Sequence, residues 1–195
     1  MTDRIFDIYR NLPVRSVVST FRECSIDRNG GFPLVDNQTE CINFDEAKKA
    51  LDYDREPQSV DSLSLACVDN GLLFIEFKNS YFDKVKTEIV DKGISSLRIH
   101  EAIVSPKIEG DRKTDNILVS VLSYDKNRPS NNDPRTVMMA RAGYTVPGKY
   151  LEEYSKRMEG IWNKRSPELS QGYSKFLVVL SNRFDEFVNA FVNKD

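Results

Sequence analysis

One histidine, His100, stands in a chain of 195 residues, and that scarcity removes several chemistries at once. Zinc sites built from several imidazoles are excluded. A Ser-His-Asp triad would rest on this one ring, which lies by the apolar stripe of a predicted helix and reads as a core or helix-end residue. The cysteines are three, Cys24, Cys41 and Cys67, an odd count at irregular spacing with no Cys-x-x-Cys pair. That argues against a disulfide framework or a thiolate zinc site and fits reduced thiols in a cytoplasm. Asn29-Gly30-Gly31 is not followed by Gly-Lys-Ser/Thr, so no phosphate-binding loop is present. No apolar run approaches the roughly 18 residues a membrane helix needs. The opening Met-Thr-Asp-Arg-Ile-Phe-Asp carries acids where a secretory signal would be apolar. The expectation is a cytoplasmic protein with no membrane partner.

What is present is a polar-surfaced globular composition, 39% hydrophobic and 30% charged, in a length that suits one domain spanning residues 1–195. The formal net charge of −2 gives no overall basic signal for nucleic acid. The charge is uneven: residues 36–61 hold eight acids against three bases, and residues 107–175 hold thirteen bases against nine acids. An acidic region beside a metal and a basic one elsewhere is one reading, and ordinary surface scatter is the other.

Periodicity and punctuation place the elements. Thr2–Arg10 reads as a helix with Ile5, Phe6 and Tyr9 on one face. Residues 14–21 are open between helix and strand, and residues 27–33 form a loop. Asn43 or Asp45 caps a brief helix through Leu51. Residues 62–68 and 72–78 read as strands joined by the turn chemistry of Asp69-Asn70-Gly71. Phe82–Val104 is a long helix with a broad apolar stripe. Residues 117–124 form a central strand, residues 125–135 a polar loop, and residues 149–164 a helix. Lys175–Leu180 is a last strand, and Asn182 or Asp185 opens a terminal helix. This order predicts an α/β fold with a mixed central sheet flanked by helices.

The second strand of the hairpin, Leu72-Leu73-Phe74-Ile75-Glu76-Phe77-Lys78, reads as buried yet carries two charges. Side chains alternate along a strand, so Glu76 and Lys78 share a face. Asp61 opens the partner strand, and a hairpin can bring its carboxylate beside them. Buried strands rarely carry such charges unless they are paired or used.

Val60-Asp61, then fifteen positions on Glu76-Phe77-Lys78, resembles the PD-(D/E)xK nuclease superfamily, although Val60 stands where the family pattern has proline. The resemblance implies a restriction-endonuclease-like core and a Mg²⁺-dependent (or Mn²⁺-dependent) nuclease acting on DNA or RNA. Asp61 and Glu76 would be metal ligands, the Phe77 carbonyl a third, and Lys78 the cation beside the reacting phosphate. Such folds often add an acid from the preceding helix; Glu46 is the candidate here, followed by Glu40 and Glu23. Lys84, Lys86 and Lys92 on the following helix could meet phosphates or be ordinary surface lysines, and Asn79 could turn the strand end or hold a ligand. The competing expectation is a non-catalytic binding protein on the same fold, with a protein partner: a toxin-neutralising immunity protein or a phage-related accessory factor. The bland alternative for the trio is a solvated charge cluster on an exposed hairpin.

Overall fold

The computed structural model describes residues 2–27, 31–52, 57–67, 71–79, 82–108, 115–122, 156, 160 and 172–193. The helix expected over 149–164, the loop over 125–135 and the turn residues Asp69 and Asn70 lie outside the described residues, apart from isolated positions 156 and 160.

Strands β1 (Val18–Thr20), β2 (Glu40–Asn43), β3 (Ser62–Leu65), β4 (Leu72–Lys78), β5 (Asn116–Leu122) and β6 (Lys175–Leu180) form one six-stranded sheet in chain order. Pairing is antiparallel from β1 through β4 and parallel from β4 through β6. The fold is therefore α/β with a mixed sheet. Helix α4 (Phe82–Val104) makes the crossover between the parallel strands β4 and β5, which a hairpin cannot join.

Alternation along β4 divides the core in two. Leu72 and Phe74 face a cluster with Ile5, Phe6 and Tyr9 of α1 (Thr2–Arg10) and Ile89, Val90, Ile99 and Ile103 of α4. Leu73, Ile75 and Phe77 face the other, with Phe21 of α2 (Phe21–Cys24) and Phe184, Phe187 and Val188 of α5 (Phe184–Phe191). Burying each of these large side chains stabilises the fold by about 1.5–3 kcal/mol before entropy is counted. His100 belongs to the first cluster: its Nδ1 lies 2.8 Å from the Tyr9 hydroxyl, and its ring meets Phe74 edge-on. Gly71, just before β4, leaves no room for a side chain: a Cβ there would lie 1.9 Å from the Asp115 carbonyl oxygen.

Two short strands are not assigned outright by the sequence reading: β1 falls where helix and strand are both open. Residues 14–21 resolve into β1 and the first residue of α2, and β2 was not anticipated. At three and four residues they are too short for alternation to register. The brief helix is α3 (Phe44–Ala47), capped by Asn43, whose side chain accepts from the Glu46 amide at 3.1 Å. A 3₁₀ turn, Lys48–Ala50, follows it. The first hairpin strand stops at Leu65, short of the expected 68. The terminal helix begins at Phe184 after a 3₁₀ turn, without a side-chain cap from Asn182 or Asp185.

Candidate functional site

The hairpin register builds the site. Ser62 pairs with Ile75 and Leu63 with Phe74, and the Asp61 N–H donates to the Ile75 carbonyl at 3.1 Å, which sets Asp61 at the head of β3 beside Glu76. Beyond that backbone bond the Asp61 carboxylate takes over: its Oδ2 accepts from the Phe77 amide at 2.6 Å. The N–H and C=O of one strand residue leave on the same side. The Phe77 carbonyl is thus turned towards the Asp61 side of β4, while the Phe77 ring packs into the opposite core cluster.

Glu76 is fully enclosed. Its Oε1 lies 2.8 Å from Lys78 Nζ and 2.6 Å from Lys92 Nζ. Lys78 also reaches Glu88 at 2.6 Å, and Lys92 approaches Glu88 at 3.8 Å. Glu88 and Lys92 are one turn apart on α4, the spacing that lets helical side chains pair. Among the described residues, Glu76 Oε2 is buried with no hydrogen-bond partner, as is the hydroxyl of Ser120, which occupies the adjacent position on β5. An enclosed carboxylate costs several kcal/mol unless its charge is met; here two ammonium groups converge on one oxygen and leave the other open.

These side chains line a cleft of about 580 Å³ at the end of the sheet where β4 stops and β3 starts. Asp45, Lys48 and Ser59 form one wall; Cys24 to Asp27 contribute to the rim, with Asn79. Ser59 donates to Asp45 Oδ1 at 2.6 Å, and Lys48 Nζ lies 2.8 Å from the same oxygen. Asn79 donates to Asp27 at 2.6 Å.

Electrostatics separate the two acids from the lysine. Burial, reinforced by the Glu76 charge, raises the Asp61 pKa well above the carboxylate range, against the pull of Lys92 and the Phe77 amide. Two carboxylates facing each other in this way favour a cation between them. Burial works to strip the proton from Lys78, but the charges and hydrogen bonds of Glu76 and Glu88 outweigh it and hold its pKa above the ordinary lysine value. Lys78 is therefore an ammonium at neutral pH and no general base.

The structure brings Asp61, Glu76, Lys78 and the Phe77 backbone together. It adds Lys92 from the lysines considered on α4; the Lys84 and Lys86 side chains lie outside the described residues. It does not bring in Glu46, which pairs with Lys49 at 2.7 Å and is absent from the cleft lining. Its neighbour Asp45 takes that place. Glu40 pairs with Arg10, and Glu23 caps α2 through Thr20. Sequence reasoning missed Asp45, Ser59, Lys48 and Glu88; only the Glu88/Lys92 spacing on α4 carried a readable signal.

Among the described residues, no three His, Cys, Asp or Glu side chains converge as metal ligands. Two facing carboxylates and a strand carbonyl still suit Mg²⁺, which keeps several waters and is commonly held by one or two carboxylates plus substrate phosphate. The same set is too poor in donors for Ca²⁺ and has no nitrogen or sulfur for Zn²⁺. No helix among the described residues is long and apolar enough to cross a membrane. Compared with known proteins, the chain matches no family model, no curated protein and no solved structure.

Proposed function

We propose that this cleft is the site of a Mg²⁺-dependent (or Mn²⁺-dependent) phosphodiesterase acting on nucleic acid, on a restriction-endonuclease-like core. The observation that carries the reading is the meeting of Asp61 and Glu76 at one cleft, with Lys78 lining it too and paired to Glu76 at 2.8 Å. Asp61 and Glu76 would hold the divalent ion, with the Phe77 carbonyl as a third donor. When bound, such an ion supplies charge neutralisation at the phosphate and a more acidic water. Asp61 is oriented by the Phe77 amide, and Glu76 by the enclosing strands. Lys78 and Lys92 present ammonium groups that can donate to phosphate oxygens and stabilise the charge that develops there. Lys78 does this as a fixed charge and hydrogen-bond donor, since its pKa is raised.

Incubating the purified chain with single- and double-stranded DNA and RNA, with Mg²⁺ or Mn²⁺, tests the reading. Cleavage that falls at least about 100-fold in Asp61→Ala and in Lys78→Met supports it. Activity unchanged in both variants, or no cleavage of any substrate, overturns it.

A second reading, a non-catalytic binding protein of the immunity or phage-accessory kind, is favoured by one observation. Glu76, Lys78, Glu88 and Lys92 compensate one another without an added cation. Calorimetry with Mn²⁺ separates the two: heat of binding that disappears in Asp61→Asn belongs to the first reading, and none at all to the second.

A further inference from the structure

Cys24 lies on the rim of the proposed site and has no role in the proposed hydrolysis, and Cys41 lies outside the cleft lining, yet their sulfurs lie 3.6 Å apart. Local structure sets that distance. Thr20 and Glu23 close a reciprocal cap on α2, fixing the helix directly at the end of β1. Ser19 pairs with Cys41 across β1 and β2, so the last residue of α2 returns over the strand that carries Cys41. Cys24 is half-buried and lines the cleft, whereas Cys41 is wholly enclosed behind it. The two thiols are unbonded.

We propose that Cys24 and Cys41 form a hydroperoxide-reactive pair, with Cys24 the attacking sulfur and Cys41 the resolving one, closing to a reversible disulfide in the cleft wall. The inference stands whether or not the cleft hydrolyses nucleic acid. Chemistry and access assign the roles. Cys24 is the sulfur that reaches the cleft, and the contact between the two thiols holds Cys24 below its usual pKa, while that contact and burial push Cys41 up; thiolate character and access govern oxidation by peroxide.

In the first step the Cys24 thiolate attacks the O–O bond, an S–O bond forms, and the departing oxygen leaves as water or alcohol with the proton Cys24 gave up. In the second, the Cys41 sulfur displaces hydroxide from the sulfenic sulfur, and the S–S bond forms as water leaves with the Cys41 proton. Two thiols lose two electrons and the hydroperoxide gains them. The sulfurs need only close from 3.6 Å to the roughly 2.0 Å of a disulfide. Cys67 lies elsewhere, its thiol donating to the Val192 carbonyl, and serves as an internal control.

The full chain is treated with hydrogen peroxide, alkylated, and digested with trypsin without reductant. The expected product is the peptide of residues 23–28 joined to that of residues 29–48, with the loss of two hydrogens and release by dithiothreitol. Cys67 stays alkylated. In Cys41→Ala, Cys24 should halt as a sulfenic acid that dimedone traps. Cys24 oxidised to sulfinic acid in the wild-type chain with Cys41 still alkylated overturns the pairing, and so does oxidation confined to Cys67. The wild-type cross-link decides the matter even if the variant fails to fold.

Discussion

His100 and Glu76 are both buried on the face of the sheet that α4 covers, at 9% and 0% exposure, and they are accommodated in opposite ways. His100 bonds to the Tyr9 hydroxyl and has aromatic rings around it. Burial lowers its pKa to about 4, so the ring is neutral and its polarity is met by a single hydrogen bond. Glu76 instead keeps two ammonium groups on one oxygen and none on the other. A sealed polar group with one partner stiffens a core. A carboxylate with surplus cations, an open oxygen and a cleft at its side is arranged to exchange partners.

The contrast can be broken at Glu76 first. Glu76→Gln removes the charge that Lys78 and Lys92 share, and the expected loss is about 3–5 kcal/mol in urea unfolding. Replacing Glu76 and Lys92 together by Met should recover most of it. If Glu76→Gln unfolds within about 1 kcal/mol of the wild type, the network is not holding the fold.

Next is acid. The folded pKa of His100 is about 4 and the unfolded value about 6.5, so between these the unfolded chain binds more protons and stability falls as pH falls. Its contribution is intact above about pH 6.5, and about 3 kcal/mol is lost on reaching pH 4. Asp61, with a raised pKa, acts with the opposite sign. The measurement is therefore the difference between the wild type and His100→Leu in urea midpoint across that window. Equal slopes in the two proteins would clear His100 of the effect. The smallest expected change is Tyr9→Phe, which leaves His100 Nδ1 without its hydroxyl partner and should cost about 1–2 kcal/mol; a neutral result would mean the ring finds another partner.

The hairpin that organises the site was legible because strand alternation is strict. Placing Glu76 and Lys78 on one face needed only their spacing, and Asp61 needed only a turn between them. The helical acid was not legible. Helix α3 is a single turn between Asn43 and a 3₁₀ segment, so adjacent positions 45 and 46 carry no periodicity to say which faces inward, and Asp45 rather than Glu46 reaches the cleft. Strands β1 and β2 were hidden for a related reason: their identity comes from pairing with each other and with β3, not from their own composition. His100 was readable as core because the α4 stripe is long enough to fix its side.

The order of the strands also bears on how the molecule assembles. Antiparallel neighbours β3 and β4 are only six residues apart in the chain, whereas β4 and β5 must wait for α4 to close the crossover. Local pairing precedes distant pairing because shorter loops lose less entropy on closing. Asp61 and Glu76 are thus brought face to face before α4 delivers Lys92, and the growing chain meets its worst electrostatic conflict early and resolves it late. Pulse-labelled hydrogen exchange should find the β3–β4 amides protected ahead of those of β5; simultaneous protection would mean that carboxylates and cation arrive together.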